Sequence, residues 1–261
     1  MRYYALFLDI DGTILKPNHT YSDSTKIAIQ QVQQQGIDVF LATGRPLHEL
    51  SGLAKELNIN SFIGYNGAYA TYQRQLIVNE PMDGNTIEKY INISKENHHE
   101  IVFYTKEKNY FTSLSNPIVE QFIESFNLTQ NELYTDKIKE QILGITIMNV
   151  DENEPHLYEI DQNIHLSQVN IDGLRHCYDV IRKNVNKGKA VELVMQHLNI
   201  QKQQTIAFGD GMNDKEMLMT VGEGFAMGNA NPHLFSYAKH KTDSVFEDGI
   251  FKGLKSLGLV K

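Results

Sequence analysis

Four clusters in this sequence have the residue types and spacing for chemistry on an anion. The first is Asp9-Ile10-Asp11-Gly12-Thr13. Two carboxylates two residues apart face one crevice when the backbone between them is extended, and their repulsion demands a cation or a shared proton. Magnesium suits this pair, because it prefers hard oxygen ligands and is usually held by one or two carboxylates plus a substrate phosphate. The second cluster is Ala42-Thr43-Gly44-Arg45-Pro46. The Thr43 hydroxyl and the unobstructed Gly44 N–H can both donate to a phosphoryl oxygen, and Arg45 is a candidate for substrate contact beside them. The third, Asn186-Lys187-Gly188-Lys189, brings a lysine that neutralises phosphate charge. The fourth, Phe208-Gly209-Asp210-Gly211-Met212-Asn213-Asp214, has the groups for a metal ligand, a phosphate donor and an orienting carboxylate. It is no EF-hand loop, since the alternate carboxylates and closing glutamate are absent.

Each cluster also has a purely architectural explanation. Asp-Gly makes turns, Thr43 can cap a helix whose first turn holds Pro46, a Lys-Gly-Lys turn is commonly solvated, and Asx residues cap helices. What weighs against four coincidences is their placement. Residues 3–10, 37–42 and 205–208 are short apolar runs of the kind that form buried parallel strands, and three clusters fall where such runs end. Lys187 opens the helix expected over residues 188–198, whose Val191, Val194, Met195 and Leu198 share one face. Open α/β sheets bind ligands at the carboxyl ends of their strands.

Other elements complete this picture. A helix over 22–35 closed by Gly36 links the first two strands, a helix over 47–57 and a strand over 61–65 follow, and 68–78 reads as a hairpin-like extension. Residues 214–220 (helix), 224–227 (strand) and 245–257 (mixed, ending in helix) finish the same style. Between about 81 and 183 the texture changes, with strands near 101–105 and 142–150 interleaved with a helix over 117–126. The expectation is an α/β fold: a doubly wound, Rossmann-like parallel-sheet core (1–82 and 186–261) interrupted by an inserted α+β cap domain (83–185).

Bulk properties narrow the partners. With 24 Lys and Arg against 32 Asp and Glu, the net charge of -8 repels a nucleic-acid backbone, so no nucleic acid is expected. The same field repels a phosphate ester, so phosphate chemistry here needs local cations. One cysteine, Cys177, permits no internal disulfide and no zinc-ligand spacing, which fits a reducing, cytoplasmic setting; it reads as a small buried hydrophobe. The amino terminus reaches Asp9 too early for a signal segment, and no apolar run is long enough to span a bilayer, so no membrane partner is expected.

The order Asp9-x-Asp11-Gly12-Thr13, Thr43-Gly44, Lys187 and Gly209-Asp210-x-x-Asn213-Asp214 resembles the four motifs of the haloacid dehalogenase superfamily, nearly end to end. The large insertion, with Asn66-Gly67-Ala68 and Gly228-Asn229-Ala230, resembles the Cof-type phosphatases with a C2-type cap. The resemblance implies a magnesium-dependent phosphatase of small phosphorylated metabolites, such as sugar phosphates or phosphorylated cofactors. It implies Asp9 as nucleophile, forming an aspartyl-phosphate, and Asp11 as acid and base. Mg2+ would be held by Asp9, Asp210 and the Asp11 carbonyl, with Asp214 supporting that shell. Ile10 N–H, Thr43, Gly44, Lys187 and Asn213 would bind the phosphoryl oxygens. A monomer or weak homo-oligomer is expected, and a cap that closes over the site. Cap residues His98, His99, Tyr104, Tyr110, Asn116, Arg175 and His176 are candidates for substrate contact, although an individual cap histidine is more often packed or solvated.

Other readings compete less well. A receiver domain has its acceptor Asp on a later strand and about half this length. Gly222-Glu223-Gly224-Phe225-Ala226-Met227-Gly228 has the wrong spacing for a dinucleotide fingerprint. Asp11 speaks against a dehalogenase; a phosphomutase, a phosphotransferase or a non-catalytic phosphate-binding regulator keeps the same motifs.

Overall fold

A computed structural model describes residues 2–169 and 173–261. The chain opens with strand β1 (Ala5–Leu8), helix α1 (Asp23–Gln34), β2 (Asp38–Ala42), α2 (Ser51–Glu56), β3 (Ser61–Gly64), β4 (Tyr69–Tyr72) and β5 (Gln75–Asn79). Next come α3 (Gly84–Asn97), β6 (Glu100–Tyr104), β7 (Asn109–Phe111), α4 (Pro117–Phe126), β8 (Asn131–Leu133), β9 (Gly144–Met148), β10 (Ile164–Gln168) and β11 (Tyr178–Arg182). The last stretch holds α5 (Lys187–Leu198), β12 (Thr205–Gly209), α6 (Lys215–Thr220), β13 (Glu223–Ala226), β14 (His240–Lys241) and α7 (Gly249–Ser256).

Met1–Arg45, Leu50–Val78 and Asn186–Lys261 form one compact unit, while Pro46–Glu49 and Asn79–Val185 form the other. In the first, one sheet runs β14-β13-β12-β1-β2-β3-β4-β5. Its strands from β14 to β3 are parallel, and β4 turns back antiparallel beside β3. Alternation along β1 sends Ala5 and Phe7 to one face, where Ala190, Val191 and Val194 of α5 and Met217 and Leu218 of α6 join the same apolar cluster. On the opposite face α7 lies so close to the sheet that a Cβ on Gly253 would meet the Phe208 ring at 2.5 Å. Helices on both faces of a parallel sheet are the doubly wound arrangement expected from the sequence.

The second unit holds a sheet ordered β10-β11-β9-β6-β7-β8, antiparallel except for the β7–β8 pair. Ile101 and Phe103 of β6, Ile145 and Ile147 of β9 and Tyr178 and Val180 of β11 share a cluster with Ile87 and Tyr90 of α3. The mixed α+β character expected of the insertion is present. Two expected helices are modified at their starts. Residues 47–57 divide into a 3-10 turn, Leu47–Leu50, and the short α2. The division has a tertiary cause: the Glu49 carboxylate accepts from the Thr129 N–H at 2.9 Å, the Thr129 hydroxyl at 3.0 Å and Asn109 Nδ2 at 3.0 Å. Likewise 214–220 begins as a 3-10 turn, Met212–Asp214, before α6. No helix among the described residues is long and apolar enough to cross a membrane.

Candidate active site

From β1 the chain proceeds to β2 on one side, and from β12 to β13 on the other, so β1 and β12 are neighbours at the switch point of the sheet. Asp9 directly follows β1, and its N–H donates to the Phe208 carbonyl of β12 at 3.0 Å. Asp210 directly follows β12. The two carboxylates therefore come from adjacent strand ends, in the crevice where such sheets bind ligands.

Lys187 is the first residue of α5, behind an N-cap, Asn186, whose side chain accepts from the Lys189 N–H at 2.9 Å. A cation at a helix amino terminus is unfavourable to the helix dipole. Its ammonium is compensated by two carboxylates: Nζ lies 2.7 Å from Asp9 Oδ1 and 2.7 Å from Asp214 Oδ1, with no exposure of the Lys187 or Asp214 side chains. Burial opposes the charged ammonium, but the Asp214 and Asp9 charges outweigh it and raise the lysine above its usual range. Asp214 Oδ2 accepts from the Asp210 and Gly211 N–H groups at 3.0 and 3.1 Å, so both Asp214 oxygens are engaged within the protein.

Asp9, Asp210 and Asp214 each bring a carboxylate oxygen within 4.8 Å of the others, a group that could hold a metal ion. Three carboxylates face one ammonium, leaving the equivalent of two negative charges to be met by protons or a cation. Burial, reinforced by Asp214, pushes the Asp9 carboxyl well above the usual carboxylate range against the pull of Lys187. Burial and Asp214 raise Asp210 to about 7. An all-oxygen, strongly anionic donor set suits a hard divalent cation. Since Asp214 is occupied by Lys187 and two N–H groups, Asp9 and Asp210 are the carboxylates with oxygens to give.

The backbone is shaped around Asp210. Gly12 has φ +80, and a Cβ there would lie 2.2 Å from Asp210 Oδ2. The Ile10 carbonyl takes the N–H groups of Thr13, Ile14 and Leu15, which curls the chain back after Asp11. Asn229, unassigned in the sequence reading, donates from Nδ2 to the Gly12 carbonyl at 2.8 Å and to Asp210 Oδ2 at 3.4 Å, while its Oδ1 accepts from the Val245 N–H at 2.8 Å.

At the end of β2, the buried Thr43 accepts the Arg45 N–H on Oγ1 at 3.0 Å, which leaves its own hydroxyl proton to donate. Arg45 reaches Asp11 through Nε at 2.7 Å and Nη2 at 2.5 Å. Asn213 donates from Nδ2 to Asn66 Oδ1 at 3.0 Å, and Asn66 packs over Gly44. Two hydrogen-bonded groups thus emerge: Asp9, Lys187, Asp214 and Asp210 in one, Thr43, Arg45 and Asp11 in the other. The sequence assigned no role to Asn66 or Asn229 beyond their place in the Asn-Gly-Ala and Gly-Asn-Ala triplets.

In the inserted unit several candidates are engaged internally. His99 is buried, with Nδ1 2.8 Å from the Tyr158 hydroxyl and Nε2 3.0 Å from Glu154. Asn116 caps α4 and donates to Glu100 at 2.8 Å. Tyr104 shares a 2.9 Å hydrogen bond with Thr146. Cys177 is buried, and that burial pushes its thiol up to about 12, consistent with a packing role.

Residues 6–254 match the family model of the haloacid dehalogenase-like hydrolases. The chain belongs to that family. The Bacillus subtilis (strain 168) protein named "Putative phosphatase YkrA" is 32% identical, over 98% of this chain and 98% of its own. Another B. subtilis protein of the same strain, named 5-amino-6-(5-phospho-D-ribitylamino)uracil phosphatase YitU, is 26% identical over 97% of this chain and 96% of its own. A solved structure from Geobacillus kaustophilus HTA426 superposes with a TM-score of 0.90 at 27% identity, covering 99% of this chain and 100% of that one. This haloacid dehalogenase-like hydrolase therefore bears out the superfamily resemblance and the α/β fold class read from the sequence.

Proposed function

We propose that the protein is a magnesium-dependent phosphatase that hydrolyses small phosphorylated metabolites, sugar phosphates or phosphorylated cofactors, through an aspartyl-phosphate on Asp9. The observation that carries this reading is the pairing of Asp9 and Asp210 at neighbouring strand ends, with the buried Lys187 ammonium between Asp9 and Asp214. Relatives named phosphatases support it, one of them by a phosphorylated ribitylaminouracil in its name.

In this mechanism an Asp9 oxygen attacks phosphorus and the ester P–O bond breaks, splitting one difficult displacement into two. Asp11 gives a proton to the departing alkoxide. It then takes one from the water that attacks phosphorus, releasing phosphate and restoring Asp9. A phosphoryl group in transfer spreads negative charge over three equatorial oxygens, so positioning and local cations do most of the catalysis. Lys187, the Thr43 hydroxyl, the Gly44 and Ile10 N–H groups, Asn213 and Arg45 are the donors for those oxygens. Asp9, Asp210 and the Asp11 carbonyl would hold Mg2+, and Asp214 would fix Lys187 and the Asp210 loop. The ion would supply charge neutralisation, without which Asp9 approaches the phosphate against about 4 kcal/mol per charge pair at ~4 Å and an effective dielectric of ~20. The inserted unit serves as the cap.

The test is inorganic phosphate release from a panel of small phosphomonoesters, with magnesium and with chelator, for the natural protein and Asp9→Asn. Release that needs both magnesium and Asp9 is the expected result. Full turnover in excess chelator, or in Asp9→Asn, would sink the mechanism.

A further inference from the structure

Between β3 and β4 the chain makes a turn that the mechanism above leaves unused. Tyr65 (φ 53) and Asn66 (φ 53, ψ 32) are both left-handed, followed by Gly67 at φ 102. Two successive non-glycine residues in that region are costly, and such strain persists only where surrounding contacts over-determine it. The contacts here run to three of the four motif clusters. The Tyr65 and Asn66 N–H groups donate to the Arg45 and Thr43 carbonyls at 3.4 and 3.1 Å. A Cβ on Gly67 would lie 2.3 Å from the Asn186 carbonyl oxygen, one residue before Lys187. The Asn66 side chain reaches the fourth cluster, accepting from Asn213 Nδ2 at 3.0 Å.

The side chain has a direction as well as a place. Its Oδ1 is committed to Asn213, which fixes how that amide is turned. Its Nδ2, with two protons and no acceptor among the described residues, sits over Gly44: a Cβ on that glycine would be 3.0 Å from Oδ1 and 3.1 Å from Nδ2. Gly44 N–H and Asn213 are themselves expected phosphoryl donors, so a third amide donor converges on the same place.

We infer that Asn66 is part of the phosphate site, holding Asn213 in its donor orientation and offering its own Nδ2 to a phosphoryl oxygen. The inference rests on the phosphatase reading. Asn66→Ala, Asn66→Asp and Asn66→Gly are compared with the natural protein for kcat and KM on p-nitrophenyl phosphate, competitive inhibition by inorganic phosphate, and thermal midpoint. Asn66→Asp keeps an acceptor for Asn213 but aims a carboxylate at the anion; its kcat/KM should fall on the order of 100-fold, the scale of a lost transition-state donor, with phosphate inhibition weakened in parallel. Asn66→Gly, relieved of its strained φ, should match or exceed the natural thermal midpoint while losing activity. The loss in Asn66→Ala combined with Asn213→Ala should be smaller than the product of the single losses. Unchanged kinetics and phosphate inhibition in a folded Asn66→Asp overturn the inference, as do losses that merely track a lowered midpoint. A natural protein that neither releases nor binds phosphate overturns the phosphatase reading, and this inference with it.

Discussion

Arg45 forks across Asp11, with Nε 2.7 Å from Oδ2 and Nη2 2.5 Å from Oδ1. A carboxylate that accepts on both oxygens has nothing to give a leaving alkoxide, so in the proposed mechanism this pair must open at each turnover as the guanidinium moves to the substrate anion. Arg45→Ala is expected to lower kcat/KM by about 10- to 100-fold, because it removes a bidentate, charge-assisted donor. Arg45→Lys should recover little, since an ammonium cannot make the fork. The pair is substantially exposed, so urea unfolding should place the stability change of Arg45→Ala below about 1 kcal/mol. A larger change would make Arg45 a structural residue.

Lys187→Met tests the buried clamp. Removing the ammonium leaves Asp9 and Asp214 buried without their cation, which is expected to cost about 3–5 kcal/mol near neutral pH. The Asp9 carboxyl already has a raised pKa in the folded protein. A carboxyl whose folded value lies above its unfolded value penalises folding once ionised, and the penalty fades as pH falls below the folded value. Urea midpoints of Lys187→Met should therefore approach those of the natural protein on acidification, where a constant gap would contradict this account.

Magnesium affinity should depend on pH in a defined direction. Asp210 in the metal-free protein is raised to about 7 and Asp9 is raised as well, so protons compete with the cation below that value. Calorimetric titration is expected to show affinity rising with pH through about 7, where Asp210 loses its proton. By the same sign argument, metal-free protein loses stability as pH rises toward that value, so the increase in thermal midpoint on adding magnesium should grow over the same range. Asp210→Asn should abolish most of the increase.

The β4–β5 hairpin offers a control remote from the chemistry. Its two-residue turn places Gln73 (φ 46) and Arg74 (φ 71) in the left-handed region without a glycine. Hairpin turns with both central residues at positive φ favour Asn-Gly. Arg74→Gly should raise stability by about 0.5–1 kcal/mol, the relief of strain exceeding the added freedom of the unfolded chain. Thermal unfolding measures it, and phosphatase activity should not change.

That hairpin also marks a limit of reading sequence locally. The hairpin-like extension over residues 68–78 was legible from alternation, but Gln73-Arg74 carries no turn signal, because tertiary pairing beside β3 imposes the conformation. The face of α5 was legible, since Val191 and Val194 recur at helical spacing and are buried together. The short β14 and the 3-10 turn Pro232–Ser236 were not, having too few residues to establish a period.

The sequence by itself determined that buried strands end in acidic and hydroxyl-bearing loops, that a basic helix start follows a long insertion, and that these motifs occur in one family order. Those features are local: they depend on residue type and on periods of two or 3.6 residues. Only the tertiary structure decided which charges meet. Lys187 is 178 positions from Asp9 and 27 from Asp214, yet its ammonium is shared between them. Asn66 and Asn213, 147 positions apart, share an amide hydrogen bond. Such pairings follow from strand order and from close approaches at Gly12, Gly44 and Gly67, where the missing Cβ lets one loop touch another. Nothing in a linear reading of residue types carries that information, because it arises from chain segments that are neighbours only in three dimensions.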